Sequence, residues 1–284
     1  CPDSATGRPP TTPVYRWHGS SVDTTSERER MGQMKIVITG GTGFVGRRLA
    51  DALLERGRLR GRDGTMQEID ELVLFDAHVP ESGLEKLDGR VSVIQGEISD
   101  TATVEGIIDR DDISVFPLAS VVSGEGERDF DLAMRVNIDG GRALLEACRA
   151  RSVPPRLVFA SSIAVFGGRV MPPVIGDGVK QTPQTTYGMT KAVLELMVND
   201  YTRKGFIDGR SARLPTVIIR PGKPNAAASS FFSSLFREPL NGRDYALPVG
   251  MEVRHPVTGY RNVVEGLIAL HELDASRLGD DRAL

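Results

Sequence analysis

Tyr187 and Lys191 are the residues of this 284-residue sequence whose types and spacing best suit proton transfer. They stand at positions i and i+4, so on a helix they share one face. A free tyrosine titrates near pH 10, and an adjacent ammonium favours the phenolate and lowers that pKa. We therefore predict that Tyr187 is a general base near neutral pH. Because a Tyr–Lys pair by itself is common on helices, a pair without a catalytic role is the alternative. Ser161 and Ser162 end a predicted strand, at the sheet edge where doubly wound proteins bind ligands.

A glycine-rich turn between a strand and a helix is the second feature whose residues could form a functional site. The apolar, β-branched run 35–39 is followed by Gly40, Gly43 and Gly46, in the spacing G-x-x-G-x-x-G. The glycines allow a sharp turn and a close backbone approach, and the following helix N-terminus offers unpaired N–H groups. These properties suit a diphosphate, so we predict a dinucleotide site; a purely structural turn is the alternative.

Asp76 indicates which dinucleotide would bind. It ends the second predicted strand, where a carboxylate can accept hydrogen bonds from both hydroxyls of an adenosine ribose. A 2′-phosphate would meet a like charge there, so NAD is favoured over NADP. The alternative is that Asp76 is a solvated loop carboxylate.

Alternating strands and helices must position these residues. Hydrophobic periodicity predicts strands at 35–39, 72–76, 91–97, 114–120, 156–161 and 213–220. It predicts helices at 44–56, 101–108, 130–151, 183–203 and 263–273, with a polar loop at 58–70. This alternation predicts an α/β fold, a Rossmann-type doubly wound parallel sheet with helices on both faces.

The sequence divides into three parts. Residues 1–33 carry no hydrophobic period, which is typical of a disordered leader or of residues upstream of the true start. We assign 34–220 to an NAD-binding Rossmann domain. From 221 to 284, beginning with a Gly-, Pro- and Ala-rich stretch, we predict a small C-terminal substrate lobe, to which the segment 167–183 contributes.

Composition excludes several classes of function. A formal net charge of -3 gives no electrostatic case for binding nucleic acid or an anionic membrane. Cys1 and Cys148 are the only cysteines, which excludes a disulfide framework and favours a reducing, cytoplasmic location. No apolar stretch approaches the ~20 residues of a membrane helix. We expect no metal site.

These motifs together resemble the extended short-chain dehydrogenase/reductase family, from about Met34 to the end of the chain. The turn 39–46 matches the G-x-x-G-x-x-G of that family, and 187–191 matches its Y-x-x-x-K. The resemblance implies that Tyr187 takes a hydroxyl proton while hydride leaves for nicotinamide, that Lys191 also holds the nicotinamide ribose, and that Ser162 orients the substrate oxygen. It implies NAD contacts from Gly40, Gly43, Phe44, Val45, Gly46, Asp76, Glu97, Ile98, Leu118, Ala119, Tyr187, Lys191, Pro221, Gly222 and Lys223.

A narrower resemblance points to the D-erythronate dehydrogenase branch of that family. It is carried by 154–167, 183–188, 199–206 and 213–225, the last containing Arg-Pro-Gly-Lys-Pro-Asn. It implies NAD-dependent oxidation of a small sugar acid, D-erythronate, at C2, with Ser123, Ser162, Tyr187, Lys223 and Arg261 as the substrate contacts. Extended members often dimerise through two helices, here 128–151 and 184–205, so we expect a homodimer by analogy.

A four-carbon acid also needs a cation, because an unpaired buried carboxylate is costly. A planar guanidinium binds a carboxylate through two parallel hydrogen bonds. We expect Arg261 and Lys223 to be the first candidates, followed by Arg220 and Arg254. A surface or packing role is the alternative for each arginine.

Three departures from the family pattern carry expectations of their own. Pro117 stands where the family mostly has His; it removes a backbone donor, and we expect it to disturb the fourth strand. Glu97 replaces the usual Asp. The C-terminus is short, so we expect a truncated lobe and an incomplete substrate pocket.

Two further functions stay open. The first is a nucleoside-diphosphate-sugar epimerase or dehydratase with tightly bound NAD, which would need a lobe for the nucleotide diphosphate. The second is a dinucleotide-sensing module without catalysis. The presence of Ser162, Tyr187 and Lys191 together argues against that second alternative.

Overall fold

The structure is a computed structural model that describes residues 32–82, 84, 87–222 and 227–284. Most of the predicted leader, residues 1–31, and the predicted site residue Lys223 lie outside the described residues. Gln33, which we had included in the leader, is the first residue of a strand.

A seven-stranded sheet forms the centre of the fold. Its strands are β1 Gln33–Thr39, β2 Arg58–Arg60, β3 Met66–Asp76, β4 Val91–Gln95, β5 Ile113–Pro117, β6 Arg156–Ser162 and β7 Asp208–Leu214. From β1 the sheet continues through β3 to β4 in one direction and through β5 and β6 to β7 in the other. All these pairs are parallel; β2 adds an antiparallel pair at the beginning of β3. Because the strand order reverses between β1 and β5, a ligand crevice is expected at their carboxyl ends.

The helices that follow the strands are described in chain order. They are α1 Phe44–Arg56, α2 Thr101–Ile107, α3 Ser123–Gly126, α4 Phe130–Ala133, α5 Gly140–Arg149, α6 Thr186–Arg203, α7 Phe231–Leu240 and α8 Tyr260–Glu272. A π-helical turn, Met134–Asp139, joins α4 to α5. Two short strands, β8 Thr216–Ile218 and β9 Val257–Gly259, pair in a separate parallel sheet. None of the described helices has the length and hydropathy to cross a membrane.

Two apolar layers cover the faces of the sheet. Side chains alternate between the faces along a strand, so Ile36 and Ile38 enter one layer and Val37 enters the other. The first layer contains residues of α1 and α8, including Leu49, Leu53, Val263 and Leu267. The second contains residues of α2, α5 and α6, including Val104, Leu144 and Leu194. The predicted doubly wound α/β fold is therefore confirmed.

The predicted polar loop at 58–70 is wrong. It contains β2 and the first half of β3, which form an antiparallel hairpin. Leu59 and Ile69 are fully buried while the neighbouring arginines face solvent. The alternation of apolar and polar residues is short here and is flanked by charged residues, so the segment resembles a polar loop in sequence.

The sixth main strand lies earlier than predicted, at β7 rather than 213–220. Its charged residues, which disguised it, are buried and paired: Asp208 accepts from Arg156 Nε at 2.9 Å and from Arg210 Nη2 at 2.9 Å. Part of the predicted strand, 216–218, pairs instead with β9 in the small sheet. Charge neutralisation inside the fold allowed a polar sequence to form an interior strand.

Pro117 does not disturb the sheet. It is the last residue of β5, in register with Thr39 of β1. The next residue continues the ladder, because Leu118 N donates to Thr39 O at 3.0 Å. A proline at a strand end loses no hydrogen bond that the ladder needs.

The end of the chain, which we predicted to belong to the substrate lobe, packs against the central sheet. Helix α8 packs against α1 and the central sheet, so it belongs to the Rossmann layers. Ala283 forms a parallel bridge with Ser211 of β7, and Leu284 N donates to Ser211 O at 2.9 Å. The small sheet, α7 and the segment 167–183 are the parts that fit a substrate lobe.

Candidate active site

A cavity of about 1420 Å³ opens at the carboxyl ends of β1, β5 and β6. Most of the predicted site residues line it: Gly40, Gly43, Phe44, Val45, Gly46, Asp76, Glu97, Ile98, Leu118, Ala119, Ser123, Ser162, Tyr187 and Lys191. Typical ligand pockets measure roughly 300–1,000 Å³. The cavity therefore has room for a dinucleotide together with a small substrate.

The glycine turn forms one end of the cavity. Gly40 has φ of 68°, and a Cβ there would lie 2.8 Å from the backbone nitrogen of Ala119. A Cβ on Gly46 would lie 2.4 Å from the Gly40 carbonyl oxygen. Gly43 is the N-cap of α1 and supplies no side-chain cap, so the first N–H groups of the helix stay available. This end fits the diphosphate of a dinucleotide.

Asp76 stands beside that turn at the end of β3. Its Oδ2 accepts from Thr42 N at 3.2 Å and from Thr42 Oγ1 at 2.8 Å. Its Oδ1 accepts from His78 N at 3.3 Å. The carboxylate is thus held in one orientation at the cavity wall, and an ionised carboxylate keeps further acceptor positions for ribose hydroxyls. The role of Thr42 in holding it was not anticipated.

Glu97 and Ile98 lie on the same wall but differ in exposure. Glu97 is exposed, whereas Ile98 is buried against Gly140, where a Cβ would come within 2.4 Å of its side chain. Ser123 also lines the cavity, and its Oγ accepts from Ala228 N at 3.1 Å.

Helix α6 brings Tyr187 to Ser162. The Thr185 hydroxyl accepts from Gly188 N at 3.0 Å and so caps the helix one residue before it begins. A Cβ on Gly188 would lie 2.1 Å from the Ala164 carbonyl oxygen, which shows how closely α6 approaches the turn after β6. In this arrangement Ser162 hydrogen-bonds Tyr187.

The pKa of Tyr187 differs from our expectation. Burial raises it above the ordinary value, and the hydrogen bond with Ser162, which lowers the pKa, only partly offsets burial. The predicted lowering by Lys191 is therefore wrong for this structure. Burial also lowers the pKa of Lys191 to about 7, because the interior disfavours its charged form.

Lys191 is buried directly beneath the tyrosine. Its Nζ donates to the Ala160 carbonyl oxygen at 2.7 Å and lies 5.6 Å from the centre of the Tyr187 ring. It also lies 4.6 Å from the centre of the Phe159 ring. The charge of Glu195 opposes the effect of burial and raises the pKa of Lys191.

Glu195 is a residue that our sequence reasoning missed. It lies one helical turn beyond Lys191 on α6 and is 1% exposed. It accepts hydrogen bonds from Ser161 Oγ and Gln181 Nε2, and from Arg213 Nη2 at 2.8 Å. Its position, i+4 from Lys191, was a signal that we did not use.

Asn137 was also missed. It lies in the π-helical turn and is 3% exposed. Its Oδ1 accepts from Val121 N at 2.8 Å, and its Nδ2 donates to Thr190 Oγ1 at 3.0 Å. It therefore ties the loop after β5 to the helix that carries Tyr187.

The predicted carboxylate ligands have different positions. Arg261 is exposed on α8, 5.9 Å from the centre of the Tyr260 ring, and does not line the cavity, so this geometry does not support its predicted substrate contact. Pro221 and Gly222 are exposed and do not line the cavity either. Arg220 and Arg254, which we had ranked behind Arg261, do line it.

The fold and this cavity define a Rossmann-type enzyme whose chemistry depends on a bound dinucleotide. The comparison with known families makes the class specific. The chain belongs to the NAD dependent epimerase/dehydratase family, whose model matches residues 36–280. Its cofactor is accordingly NAD, which the uncapped helix N-terminus and the oriented Asp76 carboxylate suit.

Individual relatives are similar over most of the chain. D-erythronate dehydrogenase of Cupriavidus necator is 49% identical over 251 residues, covering 88% of this chain and 76% of the relative. D-erythronate dehydrogenase of Haemophilus influenzae is 43% identical over 235 residues, covering 83% and 71%. The crystal structure of the nucleoside-diphosphate-sugar epimerase from Agrobacterium tumefaciens matches with a TM-score of 0.80 and 41% identity, covering 89% of this chain and 73% of that one.

Proposed function

We propose that this protein is an NAD-dependent dehydrogenase that oxidises the C2 hydroxyl of D-erythronate, or of a close aldonate, to the 2-oxo acid. The observation that carries the proposal is the meeting of Ser162, Tyr187 and Lys191 in the cavity that also contains the glycine turn. The substrate class comes from the two similar D-erythronate dehydrogenases.

The proton and the hydride leave the substrate by different routes. Bound NAD supplies the acceptor for the hydride from C2. The Tyr187 oxygen takes the proton of the C2 hydroxyl, and the Ser162 hydroxyl orients the substrate oxygen toward it. Because Tyr187 and Ser162 hydrogen-bond each other already, the two groups are preorganised for the same oxygen atom.

Lys191 and Glu195 have supporting roles in this scheme. Lys191 donates from beneath the ring of Tyr187, and its remaining N–H groups are available to hold the nicotinamide ribose. With a pKa of about 7, it would change charge near neutral pH, and Glu195 favours the charged form. Lys191 would then stabilise negative charge on the Tyr187 oxygen in the transition state.

The competing function is turnover of a nucleoside-diphosphate sugar, as the name of the similar Agrobacterium tumefaciens protein suggests. The two functions differ in net redox change, because an epimerase returns the hydride to its substrate. An assay of NADH formation with a panel of aldonates, run beside product analysis with UDP- and dTDP-sugars, distinguishes them. We expect net NADH with D-erythronate; conversion of nucleotide sugars without net NADH would contradict the proposal.

We also propose that two copies of the chain associate. Phe130 of α4 and Leu196 of α6 are large apolar side chains that are more than half exposed, on the two helical regions predicted to form the interface. Sedimentation equilibrium should give twice the mass of the chain. Substituting Leu196→Glu should shift the mass to that of a monomer, whereas a wild-type protein that is monomeric at every concentration would refute the dimer.

A further inference from the structure

Arginines contribute to the lining of the cavity. Arg213, Arg220, Arg237 and Arg254 all line the cavity. Two of them have carboxylate partners: Arg213 Nη2 lies 2.8 Å from Glu195, and Arg237 Nε lies 2.9 Å from Glu238. Their charges are therefore already compensated by the protein.

Arg220 differs from those two. Its guanidinium has no hydrogen-bond or ion-pair partner among the residues that the structure describes, although the side chain is only partly exposed. Burial and the nearby charge of Arg237 lower its pKa. A partly buried cation without a counter-ion is costly, and an anionic ligand would offset this cost.

The backbone of Arg220 is held in place while its side chain is free. Arg220 N donates to Ser233 Oγ at 3.1 Å, and the Arg220 carbonyl oxygen accepts from Arg237 Nη1 at 3.0 Å. Both partners belong to α7, so this helix fixes the point from which the Arg220 side chain extends. Arg237 is itself oriented by Ser234 Oγ at 2.7 Å.

We propose that Arg220 binds the carboxylate of the substrate, an inference that rests on the proposed oxidation of a sugar acid. A guanidinium can grip a carboxylate with two parallel hydrogen bonds, which fixes the orientation of C1 and hence of the adjacent C2 hydroxyl. Arg237 positions Arg220 and does not touch the substrate. Recognition of the acid end therefore depends on Arg220 and on α7, which holds its backbone, whereas proton transfer depends on Tyr187 of α6.

The pairing of the other cations favours a carboxylate over a diphosphate. Three donor atoms of Arg237 are used by Glu238, Ser234 and the Arg220 carbonyl oxygen. Within the described part of the chain, one partly buried guanidinium is left for an anion at this position, and Arg254, which also lines the cavity, is exposed. One guanidinium matches the single charge and planar shape of a carboxylate.

The test compares D-erythronate with its uncharged amide, which has the same C2 hydroxyl. In Arg220→Ala, we expect KM for D-erythronate to rise by about 30-fold, since a charge-assisted hydrogen bond is lost, while KM for NAD stays unchanged. Arg220→Lys should give an intermediate KM for D-erythronate, because an ammonium keeps the positive charge but lacks the two parallel N–H donors of a guanidinium. The preference for acid over amide should fall to near one in Arg220→Ala, an effect that a merely structural role would not produce. Arg261→Ala, at an exposed arginine outside the cavity, is the matched control.

Calorimetric titration separates this inference from the proposed function. Suppose that wild type binds D-erythronate without forming NADH, and that Arg220→Ala loses this binding while Arg261→Ala keeps it. That result would support the carboxylate site and contradict the proposed oxidation. Equal affinity of wild type and Arg220→Ala for D-erythronate would overturn the site. A second result would also overturn the site: wild type binds UDP-glucose but not D-erythronate, and Arg220→Ala no longer binds UDP-glucose.

Discussion

The ammonium of Lys191 lies 5.6 Å from the centre of the Tyr187 ring, and it is held there by the Ala160 carbonyl oxygen at 2.7 Å. The two residues are one helical turn apart on α6, yet their relative position depends on a strand, because Ala160 belongs to β6. The helix and the sheet together thus set the distance between the proposed base and the cation that supports it.

Removing the hydroxyl of Tyr187 should stop the reaction without affecting the cofactor. We expect Tyr187→Phe to lower kcat by about 10³-fold, within the range for loss of a general base. NAD affinity, measured by calorimetry, should be nearly unchanged because the ring remains. Tyr201→Phe is a matched control on the same helix, since that hydroxyl donates to Glu146 and does not line the cavity. A Tyr187→Phe enzyme with wild-type kcat would refute the catalytic assignment.

The rate of oxidation should rise with pH. Tyr187 must lose its proton before it can accept one, and burial raises its pKa above the ordinary value of about 10. The reactive phenolate is therefore a minor form at pH 7, and its fraction grows by up to about tenfold per pH unit. The pH profile of kcat/KM for oxidation, measured from pH 6 to 10, should climb steeply up to about pH 7 and less steeply above it, where Lys191 loses the charge that stabilises the phenolate, while reduction of the 2-oxo acid should slow. A profile independent of pH in both directions would contradict this assignment.

Glu195 should be important for stability. Its carboxylate is buried with Arg213, so among the described residues Glu195→Gln leaves Arg213 only the exposed Asp281, at 3.8 Å, as a charge partner. We expect the free energy of unfolding in urea to fall by about 3–5 kcal/mol. Asp200→Asn, which breaks an exposed pair with Arg203 on the same helix, should change it by less than about 1 kcal/mol. If the two variants lost similar amounts of unfolding free energy, the result would contradict a larger stabilising contribution from the buried pair.

Asp76 should determine the choice of cofactor. We expect Asp76→Asn to weaken NAD binding by about tenfold and to raise the ratio of NADP to NAD use, since a repulsive charge and a ribose acceptor are removed. Thr42→Val removes the hydroxyl that orients Asp76 but keeps the carboxylate, so it should preserve the preference for NAD. Wild-type enzyme that prefers NADP would overturn the role of Asp76.

Local sequence patterns predicted an element correctly where its own residues alone determine its structure. Helix α1 was predicted at its observed bounds because its apolar residues repeat with helical period after a glycine turn. The strand β7 was misplaced because its charged residues, Asp208 and Arg210, are compensated by partners distant in sequence, including Arg156. A pattern read along the chain contains no information about such partners.

By itself, the sequence determined the family, the dinucleotide turn and the pairing of Tyr187 with Lys191, because each depends on residues close together in the chain. Tertiary structure decided which arginine lines the cavity: Arg220 does and Arg261 does not, although their charges are the same. It also decided the direction of the Tyr187 pKa, since burial outweighs the effect of neighbouring groups. Both outcomes depend on what surrounds a side chain in space, which folding establishes through contacts between distant parts of the chain.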